Sequence, residues 1–280
     1  MPRAKVFIPP EELEQLYWKK YLSPLKIGKL YKCDAVTVRT RMREYGIPKR
    51  SSSEARMRYR KYDFSDNLAE KAYMIGFRLG DLNVYQTSAL SDLIVARCNT
   101  TQEAQINLMK NMFSKYGQVT VSKGKDRVSV NCHLNKSFDF LIPKHKKVPK
   151  WIDADDQLIA AFIAGYTDAE GNFILNQKRA RFKIDSYDKD IITWMVSRLT
   201  NCGILARARC ISKRGALAAD GSRFKKDLWR INVNQAISLL KFINKIKPFI
   251  THKGRMQCMI ICEDNIKARI EKGSVKYATI

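Results

Sequence analysis

The 280-residue chain has no run of about 18 apolar residues, so no helix crossing a membrane is expected. Its seven cysteines form no C-x-x-C pair, and its three histidines (His133, His145 and His252) are scattered, which excludes a zinc site. No G-x-x-x-x-G-K-[ST] segment is present, so its glycines do not form a phosphate loop of that kind. Residues 1–10 lack the apolar centre of a signal peptide. The cysteines are therefore read as reduced thiols of an intracellular protein, cytoplasmic or in an organellar matrix. The scarcest commodity is negative charge. Only 27 Asp and Glu stand against 52 Lys and Arg, a net charge of +25. A bias of that size costs self-repulsion unless a polyanion is the partner. The basic residues are spread along the chain and not gathered beside an apolar anchor, which points to nucleic acid and away from a membrane surface.

Against that background one segment occurs twice, 89 residues apart. The first copy runs Ala72-Tyr73-Met74-Ile75-Gly76-Phe77-Arg78-Leu79-Gly80-Asp81-Leu82-Asn83. The second runs Ala161-Phe162-Ile163-Ala164-Gly165-Tyr166-Thr167-Asp168-Ala169-Glu170-Gly171-Asn172. Small residues match small residues: Ala72, Gly76 and Gly80 against Ala161, Gly165 and Ala169. A four-residue repeat forms one ridge along a helix, and two such ridges let helix backbones approach closely. Each ridge ends beside an acid, Asp81 in one copy and Glu170 in the other. Two carboxylates brought together in a very basic chain point to a divalent-cation site facing phosphate.

Residues 10–47 read as three short helices. Pro10 opens the first, Ser23-Pro24 starts the second, Asp34 caps the third and Gly46 ends it. The apolar residues are Leu13, Leu16 and Tyr17, then Leu25, Ile27 and Leu30, then Val36, Val38, Met42 and Tyr45. The third helix also carries Thr37, Arg39, Thr40, Arg41 and Arg43. This unit, residues 1–48, resembles a helix-turn-helix DNA-binding unit, which makes Thr37, Arg39, Arg41 and Arg43 candidate DNA contacts. Residues 49–67 read as a basic linker. Beyond it, strands are expected over 92–99, 119–122, 128–134, 172–175, 181–184, 205–211 and 228–233. Helices are expected over 102–116, 137–141, 191–199, 234–245 and 255–267. Each half, 68–150 and 151–280, then follows the order α-β-β-α-β-β-α, an internal duplication about a pseudo-two-fold axis.

The segments Met74 to Leu82 and Ile163 to Gly171 resemble the LAGLIDADG motif of homing endonucleases, in the single-chain form with two motifs. The second copy, I-A-G-Y-T-D-A-E-G, is the closer. In the first, Leu79 replaces an acid and Leu82 the terminal glycine. The resemblance covers about residues 68–270. It implies an α+β fold with two antiparallel sheets forming a DNA-binding saddle. It implies a double-stranded DNA endonuclease that leaves a staggered break. Asp81 and Glu170 would hold Mg²⁺, with Mn²⁺ as a substitute. Lys253 and a lysine within Lys144 to Lys147, favoured as Lys147, would sit near the active centre. Arg97, Asn99, Arg181, Lys183 and Arg209 are candidate base contacts on the strands. Asp168 is expected to support the helix end. The partner would be a long asymmetric DNA site bound by a monomer. A regulator that has lost cleavage, or an intron RNA maturase, are the alternatives. The Met1-Pro2 start and the absence of a terminal His-Asn pair argue against an intein.

Overall fold

A computed structural model describes residues 6–50, 59–88, 91–124 and 127–275. The chain folds as two compact units, Met1–Arg60 and Lys61–Ile280.

In the first unit, α1 (Pro10–Glu14) runs into a π-turn (Gln15–Lys19), followed by α2 (Pro24–Leu30) and α3 (Ala35–Glu44). The caps are those expected. The Ser23 side chain accepts from the Lys26 N–H, and the Asp34 side chain from the Thr37 N–H. Gly46 takes the left-handed conformation (φ 68°) that ends α3. The core holds Ile8, Leu13, Leu16, Tyr17, Ile27, Val38, Met42 and Ile47. Leu25, Leu30 and Val36 are instead exposed. A seven-residue helix turns only one narrow stripe inward, and on α2 that stripe is Ile27 with Gly28. Gly28 allows the tight α2–α3 turn, since a Cβ there would lie 2.5 Å from the Cys33 carbonyl oxygen.

The stretch read as a linker is shorter at both ends than 49–67. The Arg50 guanidinium lies 4.0 Å from the Tyr17 ring centre and 4.2 Å from that of Tyr21, and donates to the Leu22 carbonyl, so it belongs to the first unit. Tyr62 donates its N–H to the Tyr116 carbonyl, and Phe64 is buried in the core of the second unit. Apolar side chains this close to a core are drawn into it. Residues 51–58, the centre of the expected linker, lie outside the described residues.

The second unit is a duplicated α+β arrangement. Its first half contains α4 (Leu68–Gly80), β1 (Asn83–Gln86), β2 (Ile94–Thr100), α5 (Glu103–Phe113), β3 (Gln118–Lys123), β4 (Val128–Leu134) and a 3₁₀ turn (Lys136–Leu141). The second half contains α6 (Lys150–Asp153), α7 (Asp156–Glu170), β5 (Gly171–Asn176), β6 (Arg179–Ser186), α8 (Lys189–Asn201), β7 (Arg207–Ser212) and β8 (Leu228–Val233). It closes with α9 (Ala236–Ile246), a 3₁₀ turn (Lys247–Phe249) and α10 (Lys253–Glu271). Two four-stranded antiparallel sheets result, in the orders β1-β2-β4-β3 and β5-β6-β8-β7. Strand β1 is absent from the sequence reading, because four residues directly after an acid leave almost no alternation to detect. The halves close differently. The first ends in a single 3₁₀ turn where the second builds three helical segments.

Along β4 and β6 burial alternates, so one face of each sheet meets the core and the other is open. On β6, Ala180, Phe182, Ile184 and Ser186 are buried, while Arg179, Arg181, Lys183 and Asp185 face outward. Helices α4 and α7 pack along their small-residue ridges at the centre. A Cβ on Gly76 would lie 2.1 Å from the Phe162 carbonyl oxygen, and one on Gly165 would lie 2.0 Å from that of Tyr73. Ala72 and Ala161 are fully buried. Among the described residues no helix is long and apolar enough to cross a membrane.

Candidate active site

The ridges deliver both acids to one place. Asp81 caps the C-terminal end of α4, and Glu170 is the last residue of α7. Gly80 is the point of contact. A Cβ there would lie 2.5 Å from that of Ala169 and 3.1 Å from Glu170 Oε1. Only a glycine lets the Glu170 side chain lie against the backbone one residue before Asp81. Both acids keep solvent-exposed surface, yet protein atoms crowd their carboxyl groups. Lost hydration raises both pKa values, and the negative charge of Asp81 raises that of Glu170 further.

Other elements tune this pair. Gln105, buried on α5, donates from Nε2 to Asp81 Oδ2 (2.7 Å) and lies 3.8 Å from Cys98 Sγ. Burial, with Asp81 beside it, pushes the Cys98 thiol up to about 11, so it stays protonated at neutral pH. Arg255 on α10 lowers the pKa of both acids through its charge, and Lys144 lowers that of Glu170. The cations acting on the carboxylates are thus Arg255 and Lys144. Lys253 is exposed at the first position of α10, and Lys147 is exposed beyond the segment that lines the Glu170 pocket. Gln105 and Arg255 escaped the sequence reading because each reaches the site from an element distant in the chain, and neither sits in a motif.

Asp168 is fully buried and acts as an anchor. Its Oδ2 accepts from the Tyr73 hydroxyl (2.6 Å) and from the N–H groups of Thr251 (2.8 Å) and His252 (3.0 Å). These N–H groups lead into α10, whose orphan donors welcome a carboxylate. His252 Nδ1 then accepts the Arg255 N–H, so the anchor fixes the turn that carries Arg255. The first half lacks this helix and lacks the acid: its counterpart, Leu79, is buried apolar core. The preceding residue does the equivalent work with opposite charge. Arg78, buried, donates from Nε to the carbonyl of Leu141 (2.9 Å), at the C-terminal end of the 3₁₀ turn, and from Nη1 to that of Leu82. Leu82, which replaces the motif's terminal glycine, is itself buried.

The open sheet faces carry a second duplication. The register places Asn83, Arg97, Asn131 and Thr120 in one row across the first sheet. Asn172, Lys183, Asn232 and Arg207 form the matching row across the second. Each row starts two residues beyond its acid. In the first row Arg97 donates to Asn131 Oδ1 (2.6 Å) and the Tyr85 hydroxyl (2.9 Å), and outside that row Asn99 accepts from the hydroxyl of its cross-strand partner Ser129 (2.7 Å). In the second sheet Arg181, Lys183 and Arg209 line one trough of about 760 Å³ with Arg207, Arg230 and Asn232. Arg230 is forked onto Asp185. In the first unit, Arg39 and Arg43 lie one turn apart on the exposed face of α3 with Val36. Arg41 is turned inward, donating to the Val6 carbonyl (3.1 Å) and pairing with Glu44. The backbone of Thr37 is taken up by the Asp34 cap, and its side chain is half-buried.

Comparison with solved structures finds fold likeness at low identity. I-DmoI in complex with DNA and Mn is similar over 66% of this chain and 98% of that one, at 16% identity and a TM-score of 0.45. I-WcaI, a homing endonuclease bound to its DNA recognition sequence, is similar over 68% and 86%, at 14% identity and a TM-score of 0.46. Full-length DUF199/WhiA from Thermatoga maritima is similar over 74% and 63%, at 14% identity and a TM-score of 0.45. No curated protein matches the sequence. The family model of the LAGLIDADG-like domain matches residues 157–247, the half that holds α7, Glu170 and the second sheet. The match lies wholly within the second repeat and covers about a third of the chain.

Proposed function

We propose that the chain is a sequence-specific endonuclease that hydrolyses double-stranded DNA to leave a staggered break. The observation that carries this reading is the contact of Gly80 with Glu170. It brings together two helix ends that each carry a carboxylate, close enough for the charge of Asp81 to raise the pKa of Glu170, in a protein of charge +25. Two crowded carboxylates are an unfavourable arrangement unless a cation joins them. Oxygen donors of this kind fit Mg²⁺, or Mn²⁺ in its place, with Asp81 and Glu170 as the holding residues. A divalent ion there supplies positive charge for an oxygen that becomes negative as a phosphodiester breaks.

The chain's own residues do the rest. Gln105 fixes one oxygen of Asp81. Arg255 and Lys144 place positive charge beside the acids, where it favours a phosphate and offsets charge that develops on it. Lys253 and Lys147 are proposed as phosphate-positioning residues further out. The two rows starting at Asn83 and Asn172 present amide and cationic donors suited to adenine and guanine edges. The rows differ at Arg97 against Lys183 and at Thr120 against Arg207, which favours an asymmetric target. Both acids belong to one chain, so a monomer suffices. Residues 1–48 add a DNA-binding unit through Arg39 and Arg43 on α3.

The test is selection from a randomised duplex library with Mg²⁺. Defined staggered ends support the endonuclease. Selective duplex binding with no cleavage in Mg²⁺ or Mn²⁺ would favour a DNA-binding regulator. Preference for a structured RNA would favour a maturase.

A further inference from the structure

The two halves of the site are walled differently. Strands β3 and β4 are joined by the short segment 124–127, whereas β7 and β8 are joined by 213–227. The longer segment is an ordered arm. Gly215 donates its N–H to the Phe224 carbonyl (2.8 Å), Phe224 to that of Ala216 (3.0 Å), and Ala218 to that of Ser222 (2.7 Å). Asp220 accepts from the Ser222 N–H and hydroxyl in the tip, and Asp227 closes the base by accepting from the Lys213 ammonium and the Arg214 N–H. The arm serves no core, since most of its side chains are exposed. It does wall a trough of about 970 Å³ whose floor holds Glu170.

The strap between the two repeats lines that trough as well. Lys144 and Lys146 line the same trough as Arg223, Lys225 and Lys226 of the arm. All five cations are exposed. The acids facing the same space are Glu170, Asp185, Asp188 and Asp220. Asp185 is forked onto Arg230, and Asp220 is used in the arm's own turn. Five cations then face two remaining carboxylates. The pocket at Asp81 is smaller, about 420 Å³, and its cations are Arg127 and Arg255.

We propose that the arm (Arg223, Lys225, Lys226) and the strap (Lys144, Lys146) form a two-walled clamp for the phosphate backbone of one DNA strand on the Glu170 side, with no counterpart among the described residues on the Asp81 side. The clamp rests on the DNA reading above and adds an asymmetry to it. Two rows of exposed ammonium and guanidinium groups suit a chain of phosphates. They carry no base-edge geometry, so they position the strand without reading its sequence.

The experiment is phosphate-ethylation interference on a duplex selected for binding, with EDTA present so that no cleavage intervenes. Wild-type protein should show strong interference clustered on one strand at one side of the target centre. The Arg223→Ser/Lys225→Ser/Lys226→Ser variant should lose that cluster and no other. Each lost phosphate contact should flatten the salt dependence of binding by about 0.9 in log–log slope. Lys144→Ser/Lys146→Ser, on the other wall, should erase the same phosphates. Both variants alter exposed side chains, and unchanged thermal unfolding would confirm that they fold. Interference equal on the two sides of the centre, or the same pattern in wild type and both variants, overturns the clamp while leaving DNA binding intact. Failure to select any duplex overturns the DNA reading and the clamp with it.

Discussion

Alanine at Gly76 and alanine at Gly80 should fail in different ways, although both glycines stand on one ridge. At Gly76 the new Cβ would meet the Phe162 carbonyl oxygen at 2.1 Å, where real contacts do not fall below 3.0 Å. The obstacle is backbone, so no rotamer change relieves it. Helices α4 and α7 must separate by about 1 Å along the most buried seam of the unit. Overpacking of this kind costs about 1–3 kcal/mol, with the backbone obstacle placing it at the upper end, and alanine's better helix propensity returns up to about 1 kcal/mol. A net loss of about 2 kcal/mol lowers Tm by about 4–8 °C for a unit of this size. Gly165→Ala should act alike, because its Cβ would lie 2.0 Å from the Tyr73 carbonyl oxygen. The double variant should cost less than the sum, since one separation relieves both clashes. At Gly80 the obstacles are side chains, Ala169 Cβ at 2.5 Å and Glu170 Cγ at 2.9 Å. Glu170 can swing away but the Ala169 methyl cannot, so Gly80→Ala should lose cleavage at least tenfold and also lower Tm, by less than Gly76→Ala because the fixed obstacle is one methyl at the ends of the two helices. Thermal unfolding by circular dichroism, beside cleavage of a selected duplex, separates the two. Gly76→Ala unfolding within about 1 °C of wild type would refute the close-packed seam.

Asp168→Ala leaves the Thr251 and His252 N–H groups without their acceptor, while the Tyr73 hydroxyl keeps Thr251 Oγ1, and at about 1–3 kcal/mol for each orphan the total reaches at least about 2 kcal/mol; a denaturant midpoint unchanged from wild type would contradict the anchor. Arg255→Met removes a charge that lowers the pKa of both acids, so the acid limb of the cleavage pH profile should move to higher pH, as measured under single-turnover conditions. Without metal, the raised carboxyls of Asp81 and Glu170 stabilise the fold fully below the ordinary carboxylate range. That contribution is lost as pH rises through their raised values. Metal-free Tm at neutral pH should therefore increase slightly in Asp81→Asn/Glu170→Gln, and added Mg²⁺ should raise Tm in wild type but not in that variant.

What was legible in the sequence depended on whether the cause was local. The four-residue spacing of Ala72, Gly76 and Gly80 against Ala161, Gly165 and Ala169 announced the central seam, because close backbone approach demands small residues at that period. Ser23, Asp34 and Gly46 marked helix ends, since capping acts within three residues. The second repeat, whose motif is closer to the family pattern, is the half that the LAGLIDADG-like domain model matches. Partners chosen by folding were not legible. Gln105 reaches Asp81 from α5, and Arg255 comes from α10. The inward turn of Arg41 depends on the Val6 carbonyl, 35 residues away. The exchange of Asp168 in one half for Arg78 in the other makes sense only once one anchors helix N–H groups and the other anchors carbonyls. The rows from Asn83 and Asn172 needed the strand register, which sequence periodicity leaves undetermined.

The most direct test of the account is single-turnover cleavage of a selected duplex in Mg²⁺ by wild type, Asp81→Asn and Glu170→Gln at protein concentrations that saturate binding. The account predicts staggered cleavage by wild type and a loss of at least about 100-fold in each variant, with duplex affinity retained. Cleavage persisting at near wild-type rate in either variant would contradict the claim that the two apposed carboxylates form the catalytic site.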